Sequence, residues 1–319
     1  MASFFETLHF ALGITAPIFL LVILGIGLRR IHLIDDHFIH SASALVFNIG
    51  LPTLLFINIA QTSLSNVINI KLIIVGLFST LIIFILLFIF ASFFVKNKKD
   101  RGVFIQGGFR GNLGIVGLAF CLNAYGDQGA ATISIYMAIL TILYNILSVG
   151  ILTKTLTDDH DTRVLKKITV NILKNPIVIS IFLALLFSFF NLHLNPILKQ
   201  TGSYVSDLTL PLALICIGGS ISLKELRLSS FTATMTTIAK LLIAPIIMIG
   251  IALPFNFSKM ELGIVFLMAA APTATASYIM VQAMKGNGTL AANIVVMTTL
   301  GSIVSVSVGI IVLRGWGLI

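Results

Sequence analysis

Gly107-Gly108-Phe109-Arg110-Gly111-Asn112-Leu113-Gly114-Ile115-Val116-Gly117 lies within an otherwise apolar stretch and holds five glycines in eleven positions. Each interior glycine weakens a helix by about 1 kcal/mol relative to alanine, and here an arginine sits among them. A second segment, Ala269-Ala270-Ala271-Pro272-Thr273-Ala274-Thr275-Ala276-Ser277, places a proline and three hydroxyls in a similar setting. Proline removes a backbone hydrogen bond and clashes with the preceding turn. Both segments are therefore expected to break as helices. Small residues also let neighbouring helices pack closely, and that reading stands beside the first.

What surrounds these two segments sets their environment. Of the 319 residues, 58% are hydrophobic and 10% charged; a soluble domain carries about 25% charge. Disorder needs the opposite balance. Ten apolar segments follow, at roughly 8–28, 38–60, 70–95, 103–124, 128–152, 172–192, 197–221, 231–253, 260–283 and 290–313. Each is near the ~20 residues that cross a bilayer. The first lacks a basic start and a small-residue cleavage site, so it is read as a retained span.

The net charge of +9 bears on topology and points to no nucleic acid. Odd-numbered connections carry Arg29 and Arg30; Lys96, Lys98, Lys99 and Arg101; Lys154, Arg163, Lys166, Lys167 and Lys174; Lys224 and Arg227; and Lys285. Even-numbered connections and tails carry only Lys71, Lys199, Lys259 and Arg314. The positive-inside rule then makes the odd connections cytoplasmic and puts both termini outside the cytoplasmic (inner) membrane. Within the 154–170 connection, Val164, Leu165, Ile168 and Ile172 alternate with basic residues, which fits a short surface helix or a plain linker.

Prolines reveal an internal repeat. Pro17 and Pro176 are 159 residues apart, as are Pro52 and Pro211, and the same shift carries Leu113 onto Pro272. Asn48-Ile49-Gly50-Leu51-Pro52 faces Asp207-Leu208-Thr209-Leu210-Pro211. A duplicated five-span unit has an odd number of crossings, so its copies lie upside down to one another. The division expected is 1–153, a linker at 154–171, and 172–319. Interrupted segments at corresponding places in inverted halves are the best sequence pointer to a transporter's binding site.

Arg110 is the most expensive residue to hold there, at about 2.5–3.5 kcal/mol on the translocon scale. It fits an anionic substrate, bound two-pronged; it also fits a structural partner or snorkelling to the cytoplasm. Asn112 is placed to cap a half helix starting near Gly114, whose N–H groups would face an anion. Pro272, Thr273, Thr275 and Ser277 supply the matching half helix, although any single hydroxyl more often bonds its own helix. Asp207, an acid well inside a span, and the buried amide Asn145 are candidates for proton or sodium coupling; each could equally brace the scaffold. Lys240 receives no role. Cys121 and Cys216 are isolated in apolar segments and read as packing residues, and the six histidines form no metal-ligand cluster. The sequence contains no Walker loop, no HExxH and no nucleophile elbow; no enzyme is expected, and no cofactor beyond a coupling ion.

With these residues in view, the chain resembles the auxin efflux carrier family, and its shorter bacterial members in particular. The resemblance lies in Gly50-Leu51-Pro52, Arg110-Gly111-Asn112-Leu113-Gly114, Asn175-Pro176-Ile177, Leu210-Pro211-Leu212-Ala213-Leu214 with Gly218-Gly219, and Ala271-Pro272. It implies an all-α polytopic membrane protein of ten transmembrane helices in two inverted five-helix repeats, similar to bile-acid sodium symporters and sodium/proton antiporters. Helices 1, 2, 6 and 7 would form a scaffold, often a homodimer surface, and helices 3–5 and 8–10 a mobile core. Helices 4 and 9 would unwind and cross at the substrate site. The implied substrates are small organic anions: plant members export auxin, and bacterial relatives are linked to malate and malonate. Two departures stand out. The central connection is short, and family prolines fall where this chain has about Ala119 and Ser277, which leaves the breaks anywhere within 112–119 and 272–277.

Overall fold

Polar caps cut the apolar chain into helices. The structure, a computed structural model, describes residues 4–60, 69–156, 176–190, 192, 194–221 and 231–319. Helix α1 is Phe4–Arg30, α2 Asp36–Ala60, α3 Ile70–Phe94 and α4 Lys98–Phe109. A π turn, Leu113–Gly117, leads into α5, Leu118–Leu156. Then come α6 Pro176–Phe189, α7 Pro196–Ser220, α8 Phe231–Phe255, α9 Lys259–Ala270, α10 Thr275–Ala283 and α11 Gly288–Gly315.

The side chains of Asp35, Asn69, Asn97, Asn195 and Asn287 each accept a backbone N–H at the start of α2, α3, α4, α7 and α11. Ser258 and Glu261 form a reciprocal capping box on α9. Glu261 also accepts from the Asn69 amide, joining the starts of α3 and α9. Inside α5, Gly126 adopts φ 60°, ψ −154°, a conformation that side chains disfavour. The chain thus turns at the boundary expected between the fourth and fifth apolar segments.

Among the described residues, seven helices are long and apolar enough to cross a membrane, and α6 is a shorter apolar one. On α3, Ile70, Ile74, Phe78, Leu81, Ile85, Ile89 and Phe93 are exposed. They recur at helical spacing, while Leu72, Val75, Ser79, Thr80, Ile83, Leu87 and Ala91 line its buried side. An apolar stripe of that length facing outward is stable only against lipid. The protein is a multi-pass helical membrane protein. The surface-helix alternative for Val164–Ile172 lies outside the described residues.

Helices α1, α2, α6 and α7 form one group, in which α1 packs on α7 and α2 on both α6 and α7. In the other group α3 packs on α4 and α8, α8 on α9, and α4 on α8 and α11. The first group is held by close backbone approach. A Cβ on Gly25 would overlap the Ile215 carbonyl oxygen, and one on Gly218 the Val22 carbonyl.

Gly218→Ala should therefore lower stability by about 1–3 kcal/mol through overpacking. Gly27→Ala, which meets nothing within 4 Å, should be neutral or gain up to about 1 kcal/mol from helix propensity. Unfolding of the detergent-purified variants checks both; equal effects would contradict the α1–α7 contact.

Candidate functional site

The two weak segments break, and they break against each other. Helix α4 ends at Phe109 and α9 at Ala270; α10 resumes at Thr275. Between them, Gly111 and Thr273 pair as a single antiparallel bridge. The Asn112 N–H donates to the Pro272 carbonyl at 2.7 Å, and the Ala274 N–H donates to the Arg110 carbonyl at 3.0 Å. The Thr273 hydroxyl donates to the Gly107 carbonyl at 2.7 Å, while the Thr273 N–H reaches the Thr298 hydroxyl oxygen on α11 at 3.1 Å. Unsatisfied groups at this depth would cost several kcal/mol each.

Phe109 fixes the end of α4, edge-on to Phe84 of α3 and Tyr144 of α5. Arg110 follows it and is buried, at 7% exposure. Its guanidinium donates to Asn145 Oδ1 at 2.8 Å, to the Ser148 hydroxyl oxygen at 3.0 Å and to the Met280 sulfur at 3.1 Å. The Gln106 amide donates to the same sulfur at 3.7 Å. All these partners are uncharged, and among the described residues no carboxylate lies within ion-pair distance of Arg110. The charge is placed by neutral groups and neutralised by none.

Lys240 is a second buried basic side chain, 2% exposed. It stands in a π turn of α8, Ala239–Ile243. Its Nζ donates to the Ala269 carbonyl at 2.8 Å, and a Cβ on Gly111 would lie 3.2 Å from that Nζ. Sequence reading gave Lys240 no role, yet a mid-span lysine is costly for the reason that singled out Arg110. The same signal was available.

The other expected site residues divide by location. Asn112 holds the N-cap position before Leu113, but its side chain makes no cap bond; its carbonyl accepts from the Gly117 N–H at 2.9 Å. The first break therefore falls at 110–112, meeting the expected window only at Asn112, and the second at 271–274, which overlaps its window at 272–274. Gly114 opens towards Leu51 of α2, 3.9 Å from an added Cβ. Pro272 and Thr273 are buried in the crossing, and Thr275 starts α10 half-buried. Ser277 is buried with its hydroxyl unpartnered, as is the Gln106 side-chain carbonyl.

Asn145, expected as a coupling residue, is brought to Arg110. Asp207 is not at the crossing. It is exposed on the wall of a cavity of about 290 Å³ between α1, α2 and α7 on one side and the first part of α5 on the other. Asp127, also exposed, lines the same cavity with Asn58 and Asn123.

An all-helical, multi-pass membrane protein whose two interrupted segments meet around buried basic side chains has the build of a membrane transporter. Comparison with known proteins agrees: the family described as "Membrane transport protein" matches residues 10–310, and the chain belongs to that family, the auxin efflux carriers. An "Uncharacterized transporter" of Methanothermobacter thermautotrophicus is 22% identical over 301 residues, 93% of this chain and 96% of that one. A similar protein of Methanocaldococcus jannaschii, also named an uncharacterized transporter, is 22% identical over 305 residues, 94% and 96% of the two chains. A protein of Rhizobium meliloti named "Putative malonate transporter" is 21% identical over 299 residues, 92% and 93%.

Asn145→Leu should cost about 1.5–3 kcal/mol of stability, because it strips a hydrogen bond from a buried charge. Arg110→Met should recover part of that loss in the Asn145→Leu background, since no unmet charge then remains. A double-mutant cycle on unfolding reads the coupling, and additive losses would show that the pair is not energetically linked.

Proposed function

We propose that this protein is a secondary carrier that moves small organic anions, carboxylates among them, across the cytoplasmic membrane by alternating access. Arg110 carries this reading: a guanidinium is held beside two helix breaks by an amide, a hydroxyl and a thioether, and among the described residues no acid balances it. A carboxylate is the better acceptor for those donors. The half helices that resume at Leu113 and Thr275 add the N–H groups of their first turns, which favour an anion. Asn112, Gly114, Pro272, Thr273, Thr275 and Ser277 form the remainder of the proposed site.

The architecture in this proposal is ten spans in two inverted repeats. Exchange of the halves turns the α1–α7 contact into α6–α2, the α3–α4 contact into α8–α9, and the α4–α8 contact into α9–α3, and all six are made. Connections also meet by parity. Asn69 bonds Glu261 between two even connections, and the Asn287 amide donates to Asp100 between two odd ones at 3.0 Å. Such parity is what an alternating topology requires. The cavity between the α1, α2, α7 group and α5 lies where a moving core would part from a scaffold. Asp207 and Asp127 on its walls are candidates for proton coupling. The Rhizobium meliloti relative's name makes malonate a natural first ligand.

Purified protein should be stabilised by the acid it carries by about 2.7 kcal/mol at a hundredfold excess over Kd, and Arg110→Gln should lose most of that shift. A thermal-unfolding screen of small carboxylates reads it. No shift with any of them would remove the carboxylate reading. Orientation is tested separately: Cys121 and Cys216 are buried, so a cysteine placed at Gly317 should react with a membrane-impermeant maleimide from outside intact cells, and one at Lys98 only after lysis. The reverse pattern would invert the proposed topology.

A further inference from the structure

Helices α3 and α5 pack side by side, and the contact of Lys154 with Phe88 brings their last turns to the same membrane surface. Between them the outer surface is not filled. A cavity of about 450 Å³ opens outward there, walled by Phe84 and Phe88 of α3 and by Ile146 and Ile151 of α5. Gly150 lies at its floor: the residue is exposed, and a Cβ added to it would meet nothing within 4 Å. The walls are apolar, and Lys154 is the charged residue among them. Its Nζ stands over the Phe88 ring, 4.7 Å from the centroid, one turn beyond Gly150 on the same face of α5. Arg101 marks the next turn of α3. Its guanidinium donates to the Ser92 carbonyl at 3.4 Å and to the Val95 carbonyl at 2.8 Å, and Ser92 follows Phe88 by one turn on the same face.

We propose that this groove seats an acyl chain of an anionic phospholipid, with the lipid phosphate held by Lys154 and Arg101. The medium around an outward-facing apolar groove of a membrane protein is lipid, and an empty groove would forfeit the dispersion contacts its walls can make. The volume falls within the roughly 300–1,000 Å³ of small-ligand pockets. The basic side chains decide which lipid. A zwitterionic headgroup brings its own cation to the phosphate, whereas an anionic headgroup leaves that charge to the protein. Lys154 is exposed and Arg101 half-buried, and among the described residues neither has a carboxylate within ion-pair distance. One turn of helix spans about 5.4 Å, so a single phosphate can lie between the two. The same stretch of α5 holds Arg110 through Asn145 and Ser148, and a lipid in the groove packs against the helix that positions that side chain. The inference needs only the membrane setting and stands apart from what the protein carries.

The test uses the full-length protein, stripped of lipid by detergent exchange and titrated with phosphatidylglycerol, phosphatidylcholine or glycerol phosphate. Native mass spectrometry counts the bound molecules, and the unfolding temperature is read alongside. The wild type should take up one phosphatidylglycerol first, at least about tenfold more tightly than phosphatidylcholine, and glycerol phosphate should neither bind nor stabilise. Lys154→Gln and Arg101→Gln should each weaken that first binding about fivefold, the share of one basic contact to an anionic lipid. Gly150→Leu, which fills the groove, should weaken it comparably and leave unfolding in lipid-free detergent unchanged. Equal uptake of the two lipids by the wild type overturns the proposal, as does a first phosphatidylglycerol bound unchanged by Lys154→Gln or by Gly150→Leu. Stabilisation by glycerol phosphate equal to that by the lipid overturns it in favour of a free-phosphate site. A changed oligomeric state in Gly150→Leu with lipid binding intact overturns it in favour of a contact between copies. If Gly150→Leu does not fold, Lys154→Gln and the headgroup comparison decide.

Discussion

Backbone that leaves its helix inside a membrane has no water to bond, and the whole centre of this protein follows from that constraint. Two breaks occur, and each supplies the partners the other lacks. The Asn112 N–H goes to the Pro272 carbonyl, the Ala274 N–H to the Arg110 carbonyl, and the Thr273 hydroxyl to the Gly107 carbonyl. An isolated break would strand these groups at several kcal/mol each. Neither segment is therefore stable in its broken form without its twin. Glycines around the first break also let side chains of neighbouring helices pack close to it. A Cβ at Gly107 would already press on Ile294 and Thr236 at about 3 Å.

Once the crossing exists, its electrostatics are largely set. Two helix ends with carbonyls and two with N–H groups converge on a few residues, and two basic side chains, Arg110 and Lys240, join them. Arg110 is turned away from its own helix end and fastened to α5 and α10 through Asn145, Ser148 and Met280. Its position therefore reports the relation of three helices at once. A shift of α10 against α5 would break one of those bonds first, and the thioether is the weakest acceptor among them.

Much of this could be read in advance, and the parts that could not share a cause. Seven of the ten expected spans return as helices long and apolar enough to cross a membrane, and the helix starts followed from Asp, Asn and Ser caps at the connections. The existence of the two breaks followed from glycine density and from Pro272. Their register did not. Placing the first break at Asn112 or later assumed that its amide would cap the next half helix; instead its backbone pairs with the other break, and no cap bond forms. That preference depends on a segment more than 150 residues away, which local propensity does not contain. Asp207 was taken as buried because it is mid-helix, yet it faces a cavity made by other helices. Lys240 was different, since its cost inside a span was visible from sequence and was simply not pressed.

The asymmetry of the crossing is the most informative departure from the proposed repeat. In the proposed repeat both breaks would start with the same chemistry, but one helix end is met by a hydroxyl and the other by the Lys240 amino group. In the first half, the α3 positions 159 residues before Ala239 and Lys240 are Thr80 and Leu81. Only the second half carries a basic residue there. A symmetric pair of ammonium groups would stand close together in a medium of low dielectric, where like charges repel strongly. A symmetric pair of neutral ends would leave both dipoles uncompensated. One lysine from α8, set opposite an arginine that is drawn off towards α5, keeps the two basic side chains of the crossing apart. If the halves are repeats as proposed, their divergence at this position is what turns a folding solution, two breaks satisfying each other, into a polar centre.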